Sequence, residues 1–215
     1  MNDTILTCGA ARGMLQRFAI RMLALAGWRV RYAGLPGPRG VVIVYPHTSN
    51  WDFIIGLLAK WAIGVKFRWL GKEALFSGAS GLLLGPLLRA WGGEPVERGN
   101  STGAIQRLAE RIRDADGFWL ALAPEGTRRY RDGWRSGFYH IALTAGVPLG
   151  MAAIDYRNKE VRLTEFAQLS GDIEQDLARV RSAYPQGMGL RPDCEAPVVW
   201  RSAEQEKDRQ AGHPA

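Results

Sequence analysis

The chain has 215 residues and is 47% hydrophobic, which suffices for one domain with a real core and excludes wholesale disorder. Its two cysteines, Cys8 and Cys194, lack any CxxC or Cys/His spacing, which excludes a disulfide framework and a zinc site and indicates a reducing compartment. The net charge is +7, and the excess lies in residues 1–100, which hold 12 Lys and Arg against 5 Asp and Glu. We therefore expect an anionic partner, a lipid surface or a nucleic acid, for the N-terminal half.

The N-terminal segment, residues 1–27, reads as a short amphipathic helix. Apolar residues recur at helical spacing and arginines lie on another face: Leu15, Phe18 and Met22, with Arg17 and Arg21. A basic helix with an apolar face favours a lipid surface over nucleic acid. Because an arginine interrupts it, the apolar run is too short to span a bilayer. Docking of this helix on the domain is the alternative, and both interpretations stay open.

Strand and helix patterns alternate through the rest of the chain. Apolar runs typical of strands and amphipathic patterns typical of helices follow one another: strands at 41–45, 66–71, 94–98, 118–123, 147–156 and 161–166, and helices at 51–63, 102–113, 138–145 and 172–184. The alternation predicts an α/β fold, a single domain with a largely parallel mixed sheet covered by helices. We place this domain at residues 28–190 and expect a polar C-terminal tail over residues 191–215.

The stretch VVIVYPHTSNWDF sets a histidine and an aspartate five residues apart. His47 and Asp52 would not share a helix face, and on a strand they would lie on opposite sides. They meet only if the chain turns between them, and Pro46, with Thr48 or Ser49 as a helix cap, provides such a turn. Two interpretations follow: a helix-start carboxylate with an incidental histidine, or a dyad in which the carboxylate orients the imidazole to accept a proton.

A dyad needs a hydroxyl to deprotonate. The stretch GNSTG matches the G-x-S-x-G pattern of serine hydrolases, but a polar segment precedes it, and Ser101 is better explained as a helix start. Without an internal nucleophile, the dyad would act on a hydroxyl of a bound substrate. The downstream stretch PEGTRR leaves a buried strand with clustered arginines, and Arg128, with Arg98 after the preceding strand, suits a phosphate group.

Together these stretches resemble the glycerolipid acyltransferases of the lysophosphatidic acid acyltransferase type. HTSNWD matches their H-x4-D motif, PEGTR their third motif, GGEPVERG their second and AGVPLGMA the place of their fourth. The resemblance covers about residues 28–157. Ala123 stands where the family prefers an aromatic residue and Arg129 where it prefers serine, so the acceptor stays more open than the reaction type.

The resemblance implies a mechanism and a location. His47, oriented by Asp52, would act as general base on a lysophospholipid hydroxyl, which attacks the thioester of acyl-CoA or acyl carrier protein. No metal or cofactor is implied, and the enzyme would sit peripherally or monotopically on the cytoplasmic face of a membrane. The residues expected to bind substrate are Lys72, Arg98, Glu125, Gly126, Thr127 and Arg128.

Two other functions stay open. A serine hydrolase would use Ser101 with His140. A non-catalytic basic module would bind anionic lipid or nucleic acid instead.

Overall fold

The computed structural model describes residues 3–72, 76–96 and 101–202. Strands and helices follow one another in this order: β1 (Thr4–Ile5), α1 (Met14–Leu25), β2 (Arg29–Tyr32), β3 (Arg39–Tyr45), α2 (Trp51–Ile63), β4 (Phe67–Lys72), α3 (Gly78–Ala90), β5 (Gly93–Val96), α4 (Ser101–Asp114), β6 (Phe118–Leu122), α5 (Gly137–Ala145), β7 (Leu149–Asp155), β8 (Glu160–Ala167) and α6 (Ile173–Ser182). A short 3₁₀ turn follows at Pro192–Cys194.

The strands in the described part of the chain form one eight-stranded sheet in the order β1-β2-β8-β7-β3-β6-β4-β5. Pairing is parallel except for β1 with β2 and the hairpin of β7 with β8, which confirms the predicted mixed, largely parallel sheet. At its centre, Val41 of β3 pairs with Leu120 of β6 and Leu149 of β7. Because β3, β6 and β7 run parallel, the segments that follow them emerge at one edge of the sheet.

Helices cover both faces of the sheet, and β3 shows why. Val41, Ile43 and Tyr45 pack in the main core with residues of α4, α5 and α6. The alternate residues Val42 and Val44 point to the other face, where α1 and α2 lie. A strand buried on both faces needs a continuous apolar run rather than an alternating one, as VVIVY provides.

The N-terminal segment docks on the domain by one face. β1 extends the sheet beside β2, and the buried face of α1 (Ala19, Ile20 and Leu23) packs on α2. Its opposite face leaves five apolar side chains exposed: Met14, Leu15, Phe18, Met22 and Leu25. In the described residues, no helix combines the length and apolarity needed to cross a membrane.

The C-terminal segment differs from the expected polar tail beginning at residue 191. Ala196, Val198 and Trp200 are buried in the main core, and the backbone of Trp134 bonds to both Val199 and Arg201. The alternating burial is that of an extended chain packed on one side. The apolar run APVVW is only five residues long and contains a proline, so it does not stand out as a strand in the sequence. The described chain ends at residue 202.

Candidate active site

The turn between β3 and α2 brings His47 and Asp52 together. His47 Nδ1 lies 3.4 Å from Asp52 Oδ2, at the outer limit of a hydrogen bond. The histidine side chain is 22% exposed and the aspartate side chain 1%. The predicted turn is therefore present. It leaves the imidazole accessible from solvent while its partner carboxylate is sealed in the protein.

Asp52 also stabilises the start of α2. Its Oδ2 accepts hydrogen bonds from the backbone N–H groups of Thr48 and Ser49, both at 2.7 Å. Both donors belong to the turn that precedes the N-cap residue Asn50, so the carboxylate joins this turn to the first turn of the helix. The two interpretations of the sequence are thus compatible, because the carboxylate that holds the turn together is the same one that faces His47.

The environment of Asp52 keeps it ionised. Burial by itself raises the pKa of Asp52, but hydrogen bonds from His47, Tyr156 and the Ser49 N–H outweigh burial and hold the pKa below its ordinary value. The fixed negative charge of Asp52 beside Nδ1 favours the imidazole tautomer that carries its hydrogen on Nδ1. It leaves Nε2 as the proton acceptor, and it stabilises the imidazolium that results.

Tyr156 is a site residue that the sequence analysis missed. Its hydroxyl donates to Asp52 Oδ1 at 2.7 Å, so each carboxylate oxygen has partners. Burial, together with the bond to Asp52, raises the pKa of Tyr156 above the ordinary range, so the group stays a donor. Its ring packs edge-on against Trp28 at 4.9 Å. Tyr156 is the last residue of the strand predicted at 147–156, and it directly follows β7, which runs parallel to the strand before His47.

The Glu125 carboxylate fixes the backbone of the turn at His47. One oxygen accepts the His47 N–H at 2.6 Å, and the other accepts the Ala196 N–H at 3.2 Å. The residue is 1% exposed. Burial raises the pKa of Glu125 to about 7; the charges of Asp52 and Glu195 add to this and the two N–H groups oppose it. Both carboxylate oxygens of Glu125 thus accept a backbone N–H, one from His47 and one from Ala196.

The rest of the PEGTR stretch is more open. Gly126 is exposed and has a φ of +64°, a backbone conformation that residues with a side chain rarely adopt. Its N–H donates to the Ala123 carbonyl oxygen at 3.1 Å. Thr127 is half-buried, and its hydroxyl accepts the Arg129 N–H at 3.4 Å. Arg128 is exposed. This loop thus offers backbone, a hydroxyl and a guanidinium within three residues of Glu125.

The remaining predicted residues are placed only in part. Lys72 ends β4, paired in the backbone with Val96, and its side chain lies outside what the structure describes. Arg98 lies outside the described residues altogether. Ser101 begins α4, with its side chain also undescribed, and His140 is half-buried in α5 beside Tyr139.

Comparisons with known proteins agree with this architecture. A family model described as Acyltransferase matches residues 29–154, more than half of the chain. The crystal structure of the 1-acyl-sn-glycerophosphate (LPA) acyltransferase PlsC from Thermotoga maritima is similar, with a TM-score of 0.51 and 15% sequence identity. The similarity covers 82% of this chain and 83% of that chain, and at this identity it shows a shared fold. A search of curated proteins found no match.

Proposed function

Because this chain belongs to the acyltransferase family and is therefore an enzyme that transfers acyl groups, we propose that it acylates a lysophospholipid hydroxyl in phospholipid synthesis. The acyl donor in this proposal is acyl-CoA or acyl carrier protein. The observation that carries it is the accessible His47 imidazole held 3.4 Å from the buried Asp52 carboxylate. Because the family transfers acyl groups, we propose this activity rather than the two alternatives, a serine hydrolase or a non-catalytic binding module.

In the proposed reaction, His47 Nε2 takes the proton of the acceptor hydroxyl. The oxygen attacks the thioester carbonyl, so that a C–O bond forms while the C–S bond breaks. The thiolate leaves and takes the proton back from the imidazolium, which gives an ester and a free thiol. The Asp52 charge stabilises the imidazolium between these two steps. General-base catalysis of this kind contributes about 10²–10⁴-fold.

Three groups support the dyad in this proposal without touching substrate. Tyr156 holds the second oxygen of Asp52, and Glu125 holds the backbone of His47. Gly126 gives the loop after Glu125 its turn. We therefore assign Glu125 and Gly126 to the shape of the acceptor pocket rather than to direct contact with the acceptor.

We assign recognition of an acceptor phosphate first to Arg128. Arg128 is exposed three residues after Glu125, whose oxygen bonds to His47, so it lies on the same edge of the sheet as the dyad. A guanidinium binds phosphate through paired, charge-assisted hydrogen bonds. We assign Arg98, and Lys72 as a further cation, to the same role, with Thr127 completing the pocket.

A lipid acceptor requires the enzyme to reach a membrane. The exposed apolar face of α1 supports peripheral or monotopic association, on the cytoplasmic side in this proposal. Trp51 and Ile54, at the start of α2 beside the dyad, are exposed as well. Apolar side chains next to the reacting group would lower the cost of drawing a lipid hydroxyl to His47.

The proposal is tested with purified protein, lysophosphatidate or monoacylglycerol as acceptor, and acyl-CoA or acyl carrier protein as donor, with products read by mass spectrometry. We expect His47→Ala to lower turnover by about 10²–10⁴-fold, and Ser101→Ala to leave it unchanged. Arg128→Ala should slow lysophosphatidate more than monoacylglycerol, because only the first carries a phosphate.

The opposite pattern would overturn the assignment. Loss of turnover in Ser101→Ala with full activity in His47→Ala would indicate a serine nucleophile. Equal slowing of both acceptors by Arg128→Ala would show that this residue does not hold the phosphate.

A further inference from the structure

A cavity lies at the other edge of the sheet from the dyad. It has a volume of about 900 Å³ and lies between the N-terminal end of α1, the C-terminal end of α2 and the first residues of β4 and β5. Five of its lining residues are cations, and we call it the cationic pocket: Lys60, Lys66, Arg68, Arg89 and Arg111.

The charge of this pocket is poorly balanced. Its described lining contains one carboxylate, Glu94, which forms ion pairs with both Arg68 and Arg111. Within the described residues, Lys66 and Arg89 form no ion pair, and the Arg89 guanidinium lies 5.5 Å from the centre of the Phe76 ring. Unpaired cations gathered in a concave surface attract an anion, and guanidinium groups suit a phosphate.

The cationic pocket is separate from the proposed acceptor site. The dyad lies at the first turn of α2. The pocket lies at its last turn, where Lys60 and Gly64 form part of the lining. The 13 residues of the helix rise about 20 Å between these ends. A glycerol hydroxyl and the phosphate of the same lysophospholipid are only a few bonds apart. One acceptor molecule therefore cannot fill both places.

The surroundings of the pocket favour a lipid rather than an acidic protein. Leu15 lines the pocket and also belongs to the exposed apolar face of α1. An apolar helix face with basic groups beside it is the arrangement of a helix lying in the plane of an anionic membrane. With α2 packed along α1, a membrane on this side would meet the dyad at one end of α2 and the cationic pocket at the other.

We propose that the cationic pocket binds the phosphate headgroup of an anionic membrane lipid and so holds the α1 face on membranes rich in such lipids. This inference rests on the membrane association included in the proposed function. The bound lipid is neither acceptor nor product, and it sets where on a membrane the enzyme works. The enzyme should accordingly distinguish anionic from zwitterionic membranes through Lys66 and Arg89 above all.

The test compares binding of the full chain to vesicles of phosphatidylcholine alone and of phosphatidylcholine with phosphatidylglycerol, measured by co-sedimentation. We expect the protein to prefer the anionic vesicles, and Lys66→Gln/Arg89→Gln to lose about 30-fold in affinity for them, at about fivefold per basic residue. Binding to phosphatidylcholine, through the α1 face, should not change. The matched control is Arg107→Gln/Arg113→Gln, which removes the same charge from two exposed residues of α4. That helix packs in the main core, on the other face of the sheet from α1 and α2.

Three results would overturn the proposal. The first is an equal loss of vesicle affinity in the control, which would indicate an effect of net charge alone. The second is unchanged vesicle binding in the pocket variant, and the third is pocket-dependent binding of acyl carrier protein without binding of vesicles.

Turnover of a water-soluble, short-chain lysolipid provides the independent readout and should be the same in the pocket variant and the parent. Absence of acyl transfer in the parent would refute the proposed function, whereas the vesicle comparison would still decide the lipid site.

Discussion

At the scale of single residues, the Asp52 carboxylate has three tasks. It faces the His47 ring, accepts two backbone N–H groups at the start of α2, and accepts the hydroxyl of Tyr156. The backbone bonds fix the position of Oδ2, and the tyrosine fixes the rotation of the carboxylate about its own axis. Its orientation toward the imidazole therefore depends on a residue of the turn after β7, far away in the sequence.

This arrangement predicts that Tyr156→Phe lowers kcat with little change in KM. A hydrogen bond to a charged group is worth about 1.5–3 kcal/mol, so a loss of about tenfold is expected when only part of that energy acts in the transition state. Steady-state kinetics on the best acceptor measures the separation of kcat from KM.

Tyr139→Phe is the matched control for this prediction. Tyr139 donates to a buried carboxylate, Asp176, at 2.9 Å, but the pair lies between α5 and α6, away from the dyad. Both variants lose a tyrosine–aspartate hydrogen bond, and only Tyr156→Phe should lower kcat. Equal kcat losses would reduce the role of Tyr156 to general stability.

At the scale of elements, α1 and α2 form an antiparallel pair held at both ends. At one end, Gln16 of α1 donates to the carbonyl oxygens of Ala62 and Ile63, at 3.0 and 3.3 Å. These carbonyls belong to the last turn of α2 and have no partner within the helix. At the other end, Trp28, three residues after α1, packs on Tyr156, which in turn donates to Asp52 in the first turn of α2. The N-terminal segment is thus fastened to the helix that begins at the dyad.

We predict that Gln16→Ala lowers the free energy of unfolding by about 1–2 kcal/mol, because two hydrogen bonds to helix-end carbonyls are lost. Gln16→Met should destabilise about as much, since it keeps the length of the side chain but cannot donate to the carbonyl oxygens. Urea unfolding measures both variants.

Gln106→Ala on α4 is the comparison for the Gln16 variants. Among the described residues, that side chain bonds to the exposed Glu110 of its own helix, so its loss should change stability by about 0.5 kcal/mol or less. If Gln16→Ala proved no worse than Gln106→Ala, the contact between α1 and α2 would not depend on this cap.

At the scale of the whole molecule, Glu125 connects three distant parts of the chain. Its carboxylate binds the backbone at His47 and Ala196, and its own carbonyl accepts a hydrogen bond from Arg201. The β3 exit, the β6 exit and the C-terminal segment therefore meet at one buried acid. The ionisation of that acid is coupled to global folding.

The pH dependence of stability follows from the raised pKa of Glu125. The folded pKa of about 7 lies above the ordinary 4.5, so between these values the folded state binds more protons than the unfolded chain. Its contribution is fully present below about pH 4.5 and is lost as pH rises through 7. The loss is on the order of 3 kcal/mol.

Glu125→Gln should remove this fall in stability between pH 5 and 8, and should lower stability at pH 5 because an amide nitrogen replaces one of the acceptors. Urea unfolding at several pH values measures the effect, with the exposed Glu110→Gln as control. A Glu125→Gln profile as steep as that of the parent protein would contradict the coupling.

The sequence by itself determined those features that neighbouring residues encode. The apolar runs placed β3 and β6, and the helical spacing placed α2 and α4. Asp172, the first residue of the helix predicted at 172–184, caps α6 by accepting the Gln175 N–H at 3.1 Å. The distance between His47 and Asp52 required a turn because neither regular element joins them. The family followed from the order of short motifs.

Only the tertiary structure decided which distant residues complete the site. Tyr156 lies 104 residues from Asp52, and Glu125 lies 78 residues from His47. No local pattern records either contact, because strand order and register decide which segments meet at an edge of the sheet. The buried C-terminal segment and the cationic pocket have the same origin, since burial and charge clustering depend on the packing of elements far apart in the chain.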